Sequence, residues 1–118
     1  MKYIALIYSD PTLAPAFNSP EFGAFMESYQ AANEIYAKDG VLVIGEALKP
    51  SSTATTLRVR SGKPETMDGP FIESKEQLGG FYVFDCDNLD EALNYAAMIP
   101  AARHGAVEVR PIEDYGRS

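Results

Sequence analysis

The residues best equipped for chemistry gather in one stretch, Asp68-Gly69-Pro70-Phe71-Ile72-Glu73-Ser74-Lys75-Glu76-Gln77-Leu78-Gly79-Gly80, ahead of the apolar run Phe81-Tyr82-Val83-Phe84. Asp68 stands on a rigid turn: Gly69 reaches backbone angles closed to other residues, and Pro70 fixes its own φ while biasing Gly69 away from the helical region. There the carboxylate can serve as a base or a hydrogen-bond acceptor in a ligand pocket. The same residues also have a purely structural use, with Asp68 accepting backbone N–H groups and Phe71 anchoring the loop in the core. Glu73, Lys75 and Glu76 form either a solvated loop with weak pairs or a lid whose Lys75 meets an anionic group. Gly79-Gly80 allow a hinge, or a bulge and close backbone approach before the strand. Long structured loops are where binding and catalysis concentrate.

His104 is the one histidine in the chain, and histidine is the side chain whose ordinary titration range spans neutrality. Paired with Asp68 or Glu46 it can shuttle a proton; unpaired, it is a surface residue of a loop. Glu46, Glu108 and Arg110 are charges inside apolar strands, and Glu108 and Arg110, two apart, share a face. A buried charge needs a partner, so Arg110 is expected to pair with Glu46 or Asp68, or to grip a carboxylate ligand in bidentate fashion. Tyr8 and Tyr82 offer hydroxyls for the same cavity. Cys86 lies between Asp85 and Asp87, whose charges disfavour a thiolate, so it is not nominated as a nucleophile. One histidine and one cysteine do not make a transition-metal set, and no cofactor is implied.

These residues belong to a single domain, residues 1–118, with 46% apolar residues including six Phe and seven Tyr. A formal charge of −7, with no basic cluster beyond Arg58 and Arg60, argues against nucleic acid as a direct partner. The lone cysteine precludes an internal disulfide and fits a reducing cytoplasm. The first apolar run, Tyr3-Ile4-Ala5-Leu6-Ile7-Tyr8, is too short for a signal-peptide core or a membrane span. A cytoplasmic protein is expected.

The elements that must position the candidates follow from pattern. Residues 2–9 read as a strand stopped by Pro11. A helix starts with Ser19 as N-cap and Pro20 in its first turn, carries Phe22, Phe25, Met26, Tyr29, Ala32 and Tyr36 on one face, and stops at Gly40. Strands follow at residues 41–48, 53–60, 65–68 and 81–85. Asn88 with Glu91 caps a second helix, with Leu89, Ala92, Leu93, Ala96 and Ala97 inward and Pro100 at its end. Residues 106–112 form the last strand and 113–118 a polar tail. This order predicts an α+β, ferredoxin-like sheet with two helices on one face. Strands apolar on both sides predict that the other face packs against a second copy, as a homodimer with a barrel-like core.

Asp68-Gly69-Pro70-Phe71, Lys75-Glu76, Leu78-Gly79-Gly80-Phe81-Tyr82 and Glu108-Val109-Arg110-Pro111, in this order, make the chain similar to the YCII-related, DGPF-domain family. The likeness runs from Lys2-Tyr3 and Tyr8 through Gly45-Glu46 and Thr53-Ala54-Thr55-Thr56 to Arg110. The resemblance implies a dimeric ferredoxin-like α/β-barrel and a family whose biochemical role is largely unassigned. Some relatives lie beside genes for extracytoplasmic-function sigma factors, which implies a link to a transcription factor. Enzymatic relatives are thought to use a His–Asp pair with the histidine in the N-terminal half; here residues 1–103 contain none, so that pair does not carry over.

Three functions follow. One is a small-molecule-binding or regulatory homodimer that takes a small anionic ligand through Tyr8, Glu46, Phe71, Lys75, Tyr82 and Arg110. The second is a cofactor-free acid–base lyase or isomerase acting on a small organic acid, with Asp68 and His104 as proton carriers. The third is an interaction module that pairs with a sigma factor.

Overall fold

The computed structural model describes residues 1–116; Arg117 and Ser118, the end of the expected polar tail, lie outside the described residues. Strands β1 (Lys2–Ser9), β2 (Leu42–Ala47), β3 (Thr55–Arg60), β4 (Lys63–Asp68), β5 (Gln77–Asp85) and β6 (Ala106–Pro111) alternate with helices α1 (Pro20–Asp39) and α2 (Leu89–Ala96). Four strands form an antiparallel sheet in the order β2-β5-β1-β6, while among the described residues β3 and β4 pair only with each other. With the β3–β4 hairpin set aside, this is the ferredoxin-like order predicted.

Local chemistry sets the ends of α1 where the sequence placed them. The Ser19 hydroxyl accepts the Phe22 N–H at 3.3 Å, Pro20 opens the helix, and Gly40 closes it in the left-handed region at φ 67°. Asn88 Oδ1 accepts the Glu91 N–H at 2.9 Å to start α2, while Glu91 reaches back to the Asp87 N–H. Ala92 and Ala96 are its buried positions. Leu89 and Leu93, expected inward, form an exposed stripe on the flank of the helix.

Register decides which side chains face the helices. Tyr3, Ala5 and Ile7 of β1 are buried with Phe84 of β5 and with Ala32 and Tyr36 of α1. Ring centroids 4.9 to 6.0 Å apart link Tyr36 to Phe84, Tyr82 and Tyr95. The Tyr36 hydroxyl donates to the Tyr95 carbonyl at 2.8 Å, so this core tyrosine leaves no polar atom stranded. Alternation then puts Ile4, Leu6, Phe81, Val83 and Ile44 on the opposite face, where no helix lies.

β5 starts four residues earlier than predicted. Gln77 and Leu78 pair with Ser9 and Tyr8, and the pairing skips Gly79, so the glycines lie inside the strand as a bulge. Gly80 is also a close-approach position: a Cβ there would stand 2.8 Å from the Glu46 carbonyl oxygen. The loop before the strand therefore shrinks to residues 69–76.

Candidate functional site

The N-terminal half of α1 stands off the sheet, where Ala32 and Tyr36 of its C-terminal half are buried against it. The gap is a cavity of about 520 Å³, walled by Phe25, Met26, Tyr29 and Asn33 of α1, by Ile7, Leu42, Gly45 and Tyr82 of the sheet, and by Ala101 and His104 beyond α2. Its walls are largely apolar and aromatic, with a few polar atoms that converge, the usual make-up of a small-molecule site.

The Tyr82 hydroxyl donates to Asn33 Oδ1 at 2.9 Å, tying β5 to α1 across the cavity. The Cδ1–Cε1 side of its ring closes on Gly45 of the neighbouring strand; a Cβ at Gly45 would fall 2.4 Å from the ring. Burial pushes the Tyr82 hydroxyl above its ordinary pKa, and Tyr29 is raised by burial and then by the nearby Tyr82. At neutral pH both are therefore neutral hydroxyls, suited to donate hydrogen bonds rather than to act as bases.

His104 follows the short 3-10 turn Pro100–Arg103, its N–H bonded to the Ala101 carbonyl at 3.3 Å. Its ring is exposed at the cavity rim, 5.8 Å from the Phe25 ring. Gly105 fixes this loop, because its N–H donates to Ala101 at 2.7 Å and a Cβ would meet the Tyr8 carbonyl oxygen at 2.2 Å.

Of the residues singled out in the sequence, Tyr82, His104 and Glu46 border this cavity. Gly45 and Ala47 present the cavity side of β2, so pleat alternation turns the Glu46 side chain to the other face, with Phe81. Asp68 does not reach it. It ends β4, opposite Thr55, in the separate hairpin, so no Asp68–His104 pair forms within the chain's own cavity. Tyr8 and Lys75 line a different, shallower hollow with Leu13, Asp10, Glu76 and Glu108.

Two expectations about charge and anchoring need correction. Arg110 meets Glu108 at 3.9 Å, both exposed, rather than Glu46 or Asp68. β6 and β2 are opposite edges of the sheet, about 14 Å apart at the usual strand spacing, which puts Glu46 out of reach. Phe71 is 63% exposed and not a core anchor; its ring lies 4.8 Å from the Arg58 guanidinium. The turn is held instead by the Gly69 N–H on the Ala54 carbonyl at 2.7 Å and by the Thr56 hydroxyl on the Gly69 carbonyl at 2.8 Å, with Gly69 at φ 103°. Cys86 is buried, and burial, then Glu91, raises its thiol pKa.

The sequence reading missed Tyr29, Asn33 and Phe25 as cavity residues. Helical spacing puts Tyr29 and Phe25 on the packed face of α1, and nothing in a helical period says where that face lifts off the sheet. Asn33, one residue beyond Ala32, lies on the flank of that face, and that position was its only signal. Among the described residues no group of acidic, histidine and cysteine side chains is arranged to hold a metal ion, and no helix is long and apolar enough to cross a membrane.

Comparison with known proteins matches residues 1–115 to the YCII-related domain. An uncharacterized protein of Rhizobium meliloti (strain 1021) is 40% identical over 117 residues, covering 98% of this chain and 94% of that protein. Among solved structures, 5-chloro-2-hydroxyhydroquinone dehydrochlorinase (TftG) from Burkholderia phenoliruptrix AC1100, in complex with 2,5-dihydroxybenzoquinone, is 14% identical with a TM-score of 0.49, covering 96% of this chain and 94% of that one. With the family's domain running through nearly its whole length, this chain belongs to the YCII-related family.

Proposed function

We propose that this protein binds a small, flat organic molecule in the cavity between α1 and the sheet, and that it does so as a homodimer. The cavity itself carries the reading: about 520 Å³ walled by the Phe25, Tyr29 and Tyr82 rings, with Asn33 and His104 as polar contacts. Its lining includes no lysine or arginine, so the ligand is expected to be neutral or weakly polar at this end. That moves the anion clamp of Lys75 and Arg110 away from this cavity. The dimer is supported by the helix-free face of Ile4, Leu6, Phe81 and Val83.

His104 supports a second reading, cofactor-free acid–base chemistry on the bound molecule. An imidazole at the rim can take a proton from the ligand and return it elsewhere, while the Tyr29 hydroxyl stabilises charge that develops.

Native mass spectrometry of protein purified gently from its own host tests the binding. The expected result is a small-mass adduct on the wild type that disappears from Met26→Trp, which fills the cavity, and persists on Arg110→Ala. An adduct retained by Met26→Trp would place the ligand elsewhere. If the adduct survives in His104→Ala but is chemically altered relative to the wild type, the acid–base reading gains over simple binding.

A further inference from the structure

Among the described residues the β3–β4 hairpin stands largely in solvent, apart from the sheet. Every residue of β4 is exposed, and β3 has Leu57 and Val59 at 60% and 58% exposure on one face, with Met67 exposed on the other. A two-stranded hairpin on its own is marginal in water, yet this one keeps six residues in unbroken register. Its strands reach about 20 Å. The radius of gyration is 16.4 Å, where a compact chain of this length has about 13.5 Å, and the molecule measures 49 × 45 × 18 Å. The arm therefore extends from a thin body and shows water an apolar face of Leu57, Val59 and Pro64.

Charge indicates what covers it. Arg58, Arg60 and Lys63 make the end of the arm basic, on the face opposite Leu57 and Val59, while the arm's two acids, Glu65 and Asp68, lie on β4 between the tip and the base. The rest of the chain holds seven basic and seventeen acidic residues, a formal charge of −10. The shallow hollow of about 800 Å³ at the end of β1 and β6 gathers Asp10, Glu76 and Glu108 around Tyr8 and Leu13, with Lys75 as its one cation. An arm with a basic tip and one apolar face is complementary to an acidic hollow with an apolar floor.

We infer that the β3–β4 arm is a clasp: in the homodimer proposed above, on which this inference rests, the arm of each copy lies on the partner copy and its basic tip sits in the partner's hollow of Asp10, Glu76 and Glu108. The hairpin gains the packing it lacks, and Tyr8 and Lys75 become covered rather than solvent-facing. The hollow is then an interface and not a ligand pocket.

Carbodiimide coupling of an equal mixture of unlabelled and 15N-labelled protein, equilibrated at the working concentration, tests the clasp. The reagent joins an amine to a carboxylate in direct contact, forming an amide with loss of water to the reagent. Amides between Lys63 of one isotope and Glu76 or Glu108 of the other are expected. Lys63 joined only to carboxylates of its own isotope, or to none of the hollow, in a sample that light scattering shows to be dimeric, would overturn the clasp and leave the dimer standing. A monomer by light scattering would overturn both. Leu57→Asp with Val59→Asp gives the second readout: the exposed arm predicts an unchanged far-ultraviolet spectrum of the body and a dimer dissociation constant raised by about tenfold or more. A wild-type dissociation constant in that variant would also overturn the clasp.

Discussion

Tyr82 and Asn33 are joined across the cavity by a 2.9 Å hydrogen bond from the tyrosine hydroxyl to Asn33 Oδ1. The bond ties a central strand to the helix that stands off it, and so fixes the width of the space between. Tyr82→Phe removes the bond and keeps the ring. Urea unfolding should show a loss of about 0.5–1 kcal/mol, the low end for a hydrogen bond because water reaches this pair. A midpoint equal to the wild type would mean the pair contributes nothing to holding α1 in place.

Gly45 is small because Tyr82 lies over it. Gly45→Ala forces the ring aside and should destabilise the protein by about 1–3 kcal/mol, as overpacking generally does. The two positions are coupled, so the same substitution in a Tyr82→Ala background should cost distinctly less. Equal costs in both backgrounds would assign the effect to the strand backbone instead.

Burial raises the pKa values of Tyr29, Tyr36 and Tyr82 above the ordinary tyrosine value of 10.0. A folded-state pKa above the unfolded one means the unfolded chain loses its proton first. The stabilisation is thus fully present below pH 10 and is lost as pH rises beyond it toward the folded values. Ultraviolet titration of the folded protein should show these phenols ionising late. Thermal stability should fall from about pH 10 upward.

Asp10 shows the opposite sign. The Thr12 hydroxyl at 2.7 Å and the Thr12 N–H at 2.9 Å both donate to Oδ1, and they hold its pKa below the ordinary 3.8. Its contribution is present above pH 3.8 and fades as pH falls below that value. Asp10→Asn should therefore unfold more easily than the wild type at neutral pH. The gap between them should close in acid, as followed by melting temperature against pH.

Much of this molecule was legible in its sequence because local chemistry and tertiary structure agree. Ser19 with Pro20, Gly40, and Asn88 with Glu91 act within one turn of themselves, and all three close the helix ends they predict. What could not be read depended on partners distant in the chain. Gln77 and Leu78 became strand because Ser9 and Tyr8 were there to pair with them, across a glycine that looked like a boundary. Arg110 missed Glu46 because sequence shows that two strands exist but not that they occupy opposite edges. Phe71 is apolar and follows a turn, which says core to any pattern rule; instead it is exposed just after the base of an extended arm, with the Arg58 guanidinium over its ring. The cavity was the hardest feature of all. It exists where α1 fails to touch the sheet, and the same aromatic period describes the half that touches and the half that does not.

Gly105 approaches the Tyr8 carbonyl so closely that no side chain fits between them. The imidazole one residue before it is therefore located by main chain against main chain, on a strand at the centre of the sheet. The wall residues Phe25, Met26, Tyr29 and Asn33 all come from a single helix with no part in that contact. The cavity is thus divided into a fixed side that carries the titratable group and an adjustable side that carries the shape. Changing which molecule is held should require substitutions only in α1, and the histidine would meet each new occupant from the same place.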